Sequence, residues 1–152
     1  MTHPSVNEMW NRFIIAHPEF SDSKYTSWYF CNTKKCADDL AVLVNAGIKT
    51  ATCSLNYWYE NGFEKRPEAG EFNVITNWEG EAQFITRTVK LTLMKFKDMT
   101  EDLASREGEG DRSLEYWRKV HIRYFSDELV KEGLEFNEDL SILFEEFVKV
   151  FE

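Results

Sequence analysis

"GEFNVITNWEGEAQFITRTVKL", residues 70–91, decides the fold class. Phe72 to Trp78 is an extended run, and "NWEGEA" turns the chain around Gly80. From Gln83 to Phe96 the residues alternate. Ile85, Val89, Leu91 and Leu93 share one face, and Thr86, Thr88, Lys90 and Thr92 share the other. Two such runs around a tight turn predict an antiparallel hairpin whose longer strand rests one face on a core.

Toward the N-terminus, "ENGFEKRPEAGE" is a polar loop preceded by "NAGIKTATCSL", residues 45–55. Ala37, Leu40, Ala41 and Val44 fall at helical spacing behind an Asn32-Thr33 cap, which predicts a helix over 34–46. Gly47 stops it, and "IKTATCSL" is rich in strand formers. Tyr25 to Phe30 reads as a short strand. Met9 to His17 reads as a helix with Met9, Trp10, Phe13 and Ile14 on one side, ended by Pro18.

Toward the C-terminus, residues 98–128 hold two helices broken at Gly108 to Gly110, the second capped by Asp111 or Ser113. Its apolar stripe is Leu114, Trp117, Val120, His121 and Tyr124. "LSILFEEFVKVFE", residues 140–152, supplies one or two further strand pieces. Strands in the middle and at the end, with helices at separate places, define an α+β class, and the number of strands is consistent with a small sheet, open or closed.

The chain has 152 residues and a net charge of −9, from 18 basic and 27 acidic side chains. That length supports one domain with a substantial core. The charge opposes bulk contact with nucleic acid or an anionic membrane. A local basic strip, Arg87, Lys90, Lys95 and Lys97, stands out against it. No apolar run reaches the ~20 residues of a membrane span, and residues 1–20 contain no signal-like apolar core. The cysteines are Cys31, Cys36 and Cys53, an odd number without a zinc-ligand pattern, so a reducing cytoplasm is the expected compartment, and neither a metal nor a cofactor is expected.

Lys49 and Thr52 stand three apart just past a helix end. As chemistry, a lysine kept neutral would take the proton of a threonine nucleophile. As structure, the lysine would complement the helix C-terminus and the threonines would favour a strand. "SREGEGD", residues 105–111, gathers Glu107, Glu109 and Asp111, either as an acid/base or metal cluster or as a solvated turn. Cys53 reads as a buried structural cysteine.

Taken together, "LVNAGIKTATCSL", the 70–91 pair, "FKDMTEDLASREGEGD" and "SLEYWRKVHIRYFSDE" resemble the ASCH domain family, in the order seen in its longer bacterial single-domain members. The resemblance runs from about Trp28 to the C-terminus, with residues 1–24 as a helical extension of a single domain. It implies a PUA-like small mixed β-barrel flanked by helices, with a cleft for a nucleoside, nucleotide or RNA between them. The family's glycine-x-lysine motif matches Gly47 and Lys49. Many members continue with glutamate and arginine where this chain has Thr52 and Ser54, which weakens a ribonuclease reading. A branch that hydrolyses N4-acylated cytidines carries Lys-Thr-x-Thr and a later glutamate. That branch implies Lys49 as base, Thr52 as nucleophile and Glu107 as the residue that orients the lysine. Gly47, Thr50, Ser54, Trp58, Arg87 and Lys90 are the candidate ligand contacts; in a module that only binds, Trp58 or Tyr57 would stack on a base and Arg87, Lys90 and Lys95 would meet phosphate. The alternative from the same resemblance is a module that binds RNA or a nucleotide without reacting.

Overall fold

The computed structural model describes all 152 residues. A helix α1 (Pro4–Ala16) leads to strand β1 (Tyr25–Trp28), helix α2 (Lys34–Asn45), strand β2 (Ala51–Leu55) and a single-turn helix α3 (Tyr57–Glu60). Strands β3 (Phe72–Thr76) and β4 (Ala82–Lys95) form the hairpin. Helices α4 (Glu101–Arg106) and α5 (Leu114–Val130) follow, and β5 (Ser141–Phe151) ends the chain. No helix is long and apolar enough to cross a membrane.

The strands form one five-stranded sheet in the order β1-β3-β4-β5-β2. β1 runs parallel to β3, and every other pairing is antiparallel. The α+β class and the flanking helices are as expected, but β1 and β2 are free edges, so the implied barrel is an open sheet. The C-terminal run is a single strand of 11 residues, inserted between β4 and β2.

Both faces of the sheet are covered. Leu40, Ala41 and Val44 of α2 pack on Ile75, Phe84 and Phe147. On the opposite face, Val6, Met9 and Phe13 of α1 pack on Phe72, Val74 and Ile85. Next to them, Trp117, Phe125 and Leu129 of α5 pack on Ala51, Leu55, Ile142 and Phe144.

That double cover overturns the expected polarity of β4. Val89 and Leu93 are each 50% exposed, whereas Thr86 and Thr88 are each 1% exposed. A register shift between Thr88 and Lys90 changes which side chains face inward. The alternation was real, but with two covered faces it did not say which face was the core. The first helix also starts earlier than expected, at Pro4. Pro4 suits a first helical position, and the His3 ring accepts the Ser5 amide, an unusual cap that composition does not flag. Cys31 and Cys36 are joined as a disulfide, linking the loop after β1 to the first turn of α2.

Two glycines shape the approach to β2. Gly47 (φ +75°) turns the chain out of α2, with its added Cβ meeting nothing within 4 Å. Gly108 (φ +70°), between α4 and α5, lies so close to β2 that a Cβ would stand 2.5 Å from the Ile48 carbonyl oxygen and 2.9 Å from Lys49 Cα. Gly47→Ala should therefore cost about 1 kcal/mol, the left-handed backbone penalty alone. Gly108→Ala should cost clearly more, because backbone must move away from backbone. Urea denaturation of the two variants checks this, and equal losses would refute the close packing of residue 108.

Candidate functional site

β2 sends alternate side chains to different places. Ala51, Cys53 and Leu55 join the core against α5. Thr52 and Ser54 line a cleft of about 710 Å³ at the β2 edge, which Cys53 and the α5 residues Tyr124 and Glu128 also reach. Burial and the nearby Glu107 push the Cys53 thiol well above its usual range, which leaves it inert at neutral pH.

Lys49 enters neither the solvent nor the cleft. Its side chain is 1% exposed. Its Nζ lies 3.5 Å from Glu107 Oε1 and 3.1 Å from Glu109 Oε2, and it donates to the Glu107 carbonyl at 3.4 Å. The Phe30 ring, which lines the cleft, is centred 5.6 Å from the same ammonium. The helix end that Lys49 was expected to complement is closed instead by its backbone, with the Ile48 and Lys49 amides donating to Leu43.

Glu107 is the hub of this cluster. It accepts from the Trp117 indole and lies 3.3 Å from His121 Nε2. His121 Nδ1 bonds the Trp117 carbonyl at 2.8 Å, so both ring nitrogens face acceptors, the arrangement of an imidazolium. Burial works to raise the Glu107 pKa. The His121 and Lys49 charges overcome it, with bonds from His121 and Trp117, and bring it down to about 2. Burial works to lower the His121 pKa, but Glu107 outweighs it and the net shift is upward. Glu107, Glu109 and His121 place ligand-type atoms within 4.8 Å of one another, but the Lys49 ammonium already supplies their counter-charge.

The cleft itself has a polar floor. The Thr26 hydroxyl donates to Asn73 Oδ1 at 2.8 Å and the Trp28 indole N–H donates to the same oxygen at 3.0 Å. Asn73 Nδ2 donates to Thr88 Oγ1 at 3.2 Å, and Thr88 donates to Glu145 Oε2 at 2.7 Å. Glu145 stands directly opposite Thr52 in the β5–β2 register. Polar side chains from β1, β3, β4 and β5 thus form a bonded row across the sheet in strand order, with Thr52 of β2 beside its end. The walls are aromatic and acidic. Trp58 donates to Glu128 at 3.3 Å, and Tyr59 shares a 2.8 Å bond with Ser54. Glu64, Glu71, Glu128 and Glu145 line the cleft against a single cation, Lys65, which pairs with Glu71 at 2.8 Å.

The residues singled out in the sequence therefore fall into separate groups. Lys49 and Glu107 meet in the buried cluster. Thr52, Ser54 and Trp58 line the cleft, and the Thr52 hydroxyl has no hydrogen-bond partner within the protein. Gly47 turns the backbone, and Thr50 bonds the Arg106 carbonyl away from the cleft. Arg87 stacks over Phe20 and Phe72 on the opposite face, and Lys90 is an exposed residue paired in register with Glu146. Asn73 and Glu145 were missed. The available signal was the acid at 145 inside the apolar run "SILFEEFV".

The buried cluster makes stability depend on pH from both sides. Glu107, depressed from 4.5 to about 2, stabilises the fold fully above pH 4.5 and loses that contribution as pH falls toward 2. His121, raised above 6.5, stabilises fully below pH 6.5 and less as pH rises through its folded value. Urea midpoints should peak between these limits. The acid limb due to Glu107 is on the order of 3 kcal/mol and should be missing in Glu107→Gln. Parallel acid limbs in wild type and variant would refute the assignment.

The ASCH domain family model matches residues 26–151. An ASCH domain structure from Lactobacillus crispatus JV V101 superposes with a TM-score of 0.94 at 31% identity, covering 99% of this chain and 97% of that one. Protein EF3133 from Enterococcus faecalis V583 superposes at 0.88 and 30% identity, covering 97% and 88%. Hypothetical protein PH0355, at 0.53 and 16% identity over 83% and 98%, shares the fold alone. No curated protein matches the chain. With the family model spanning β1 through β5, and with near-complete superposition on an ASCH domain, the chain belongs to the ASCH domain family.

Proposed function

We propose that the cleft binds a single nucleoside through its base, free or as one flipped-out nucleotide of an RNA. The observation that carries this reading is the lining. Indole and phenol rings wall a space of about 710 Å³ above a row of hydrogen-bonding side chains. Flat heterocycles gain from such walls, and the polar row offers fixed partners for a base edge. The surplus of carboxylates over Lys65 disfavours a track for several phosphates. It disfavours the ribonuclease reading for the same reason.

A second reading, hydrolysis of an N4-acylated cytidine, is favoured by the Thr52 hydroxyl, which faces the cleft without a partner. Thr52 Oγ1 would attack the acyl carbonyl, the N4 amine would leave with a proton as cytidine, and water would release the acid from Thr52. In the resemblance Lys49 takes the threonine's proton. Here its ammonium is held by Glu107 and Glu109, and an ion-paired ammonium has no lone pair with which to accept one. Binding is therefore the stronger reading.

Trp28 and Trp58 make the test direct, because a bound base should quench their fluorescence. Trp58→Ala should weaken nucleoside binding by about tenfold or more, the loss of one stacking wall. No quenching by any nucleoside would sink the binding reading. Acetate release from N4-acetylcytidine by wild type, lost by about 10²-fold or more in Thr52→Val, would establish the hydrolase instead.

A further inference from the structure

The charge of the cleft is unbalanced. Glu64, Glu71, Glu128 and Glu145 line it, and Lys65, tied to Glu71 at 2.8 Å, is its one cation. Lys131 stands in the groove beside it and acts on Glu128 less than Glu64 does. Lys49 is held by Glu107 and Glu109 and does not line the cleft. Glu145 is the most buried of the four carboxylates, at 8% exposed. No cation pairs with it, and the Thr88 hydroxyl is its one hydrogen-bond donor. The Trp28 indole only donates, so Asn73 turns its oxygen to Trp28 and its amide nitrogen to Thr88, and Thr88 passes its own proton on to Glu145 Oε2. Oε1 has no partner within the protein and opens on the cleft. A carboxyl that is nine-tenths buried with half of its bonding capacity unused is set to receive something.

The rest of the lining restricts what can supply the missing positive charge. A metal ion needs ligand atoms gathered at one point, and the chain's only such group is Glu107, Glu109 and His121, outside the cleft. The cleft carboxylates are spread instead over α5, β5 and the loop that joins α3 to β3. Aromatic rings stand beside them, among them Trp28, Trp58, Tyr59 and Tyr124. Two of these rings already bond the same carboxylate, the Trp58 indole N–H at 3.3 Å from Glu128 and the Tyr124 phenol beside it. Aromatic faces attract any cation, but only a flat one also gains the contact area of stacking. Burial raises the pKa of both Glu145 and Glu128, and like charge raises them further, from Glu71 for the first and from Glu64 for the second. A cation among such groups removes the cost of holding like charges together.

We propose that the cleft selects a nucleobase that carries a positive charge, a purine or pyrimidine alkylated on a ring nitrogen, with Glu145 and Glu128 as its counter-charge and the neighbouring rings as its stacking surface. The proposal rests on the nucleoside reading above and narrows it by charge, whichever the base. Alkylation at a ring nitrogen spreads positive charge over the ring and its exocyclic amine, whose N–H then makes a charge-assisted bond to a carboxylate oxygen such as Glu145 Oε1. A neutral base fits the same space but leaves Glu145 without a counter-charge.

The test compares isomers that differ in charge and in the place of one methyl group. 1-Methyladenosine and 3-methylcytidine are cations at neutral pH, and N6-methyladenosine and 5-methylcytidine are their neutral isomers. Fluorescence titrations read the dissociation constants, because Trp28, Trp58 and Trp78 line the cleft. Wild type should bind each cation about tenfold or more tighter than its isomer. Glu145→Gln keeps an acceptor for Thr88 but removes the charge, and should cut that ratio to about threefold or less. Glu8→Gln makes the same change of charge on the exposed side of α1 and should leave the ratio as in wild type. If Glu145→Gln does not fold, Glu128→Gln serves instead and should cut the ratio likewise. Equal binding of the isomers, or an undiminished ratio in the cleft variant, would overturn the proposal and leave the nucleoside reading standing. Spermidine that displaces 1-methyladenosine at equal or lower concentration would mark a general amine site and overturn it too. No response to any nucleoside would overturn both the proposal and the nucleoside reading.

Discussion

The constraint on which the rest depends is the ammonium of Lys49, held with 1% exposure between Glu107 and Glu109. A lone charge in that position would cost several kcal/mol, and it is tolerated because positive and negative groups alternate from Lys49 through Glu107 to His121. The contacts join parts of the chain that are far apart in sequence, the entrance of β2 and the turn between α4 and α5. Gly108 lets the two backbones touch so that the charges can meet. With its entrance pinned, β2 has one register against β5, and that register puts Thr52 across from Glu145.

The cleft adjoins this cluster, with Phe30 and Cys53 lining the one and touching the other. Its floor is a relay in which every donor has an acceptor, from Thr26 and Trp28 through Asn73 and Thr88 to Glu145. A buried polar row is favourable only when satisfied, and this one is satisfied up to its last member. The relay also has a direction, set by an indole that can only donate. A binding surface whose hydrogen-bond polarity is fixed before the ligand arrives loses little to reorganisation.

Charge sorts the functional readings. The acidic lining of the cleft and the net charge of −9 both disfavour a polyanion, and both are compatible with a single neutral base. Arg87, offered by the sequence as a phosphate contact, lays its guanidinium on Phe20 and Phe72, away from the cleft lining. Lys49 is ion-paired with Glu107 and Glu109, and any part it takes in chemistry has to be reconciled with that pairing.

Local signals in the sequence were enough for the hairpin at residues 72–95, the helix ending at Gly47, the break at Gly108 to Gly110 and the family. Each of these rests on periodicity or on a turn residue, which act over a few positions and survive any tertiary arrangement. They also sufficed to single out Lys49, Thr52 and Glu107. Where those side chains went was decided by packing. Alternation along β2 sends Thr52 and Cys53 to opposite faces. Covering both faces of β4 buried Thr88 and left Val89 exposed, the reverse of what hydrophobicity alone predicts. Asn73 and Glu145 are ordinary strand residues until β3, β4 and β5 lie side by side. Pairing between strands distant in sequence gives them partners and a direction, and no local pattern encodes that.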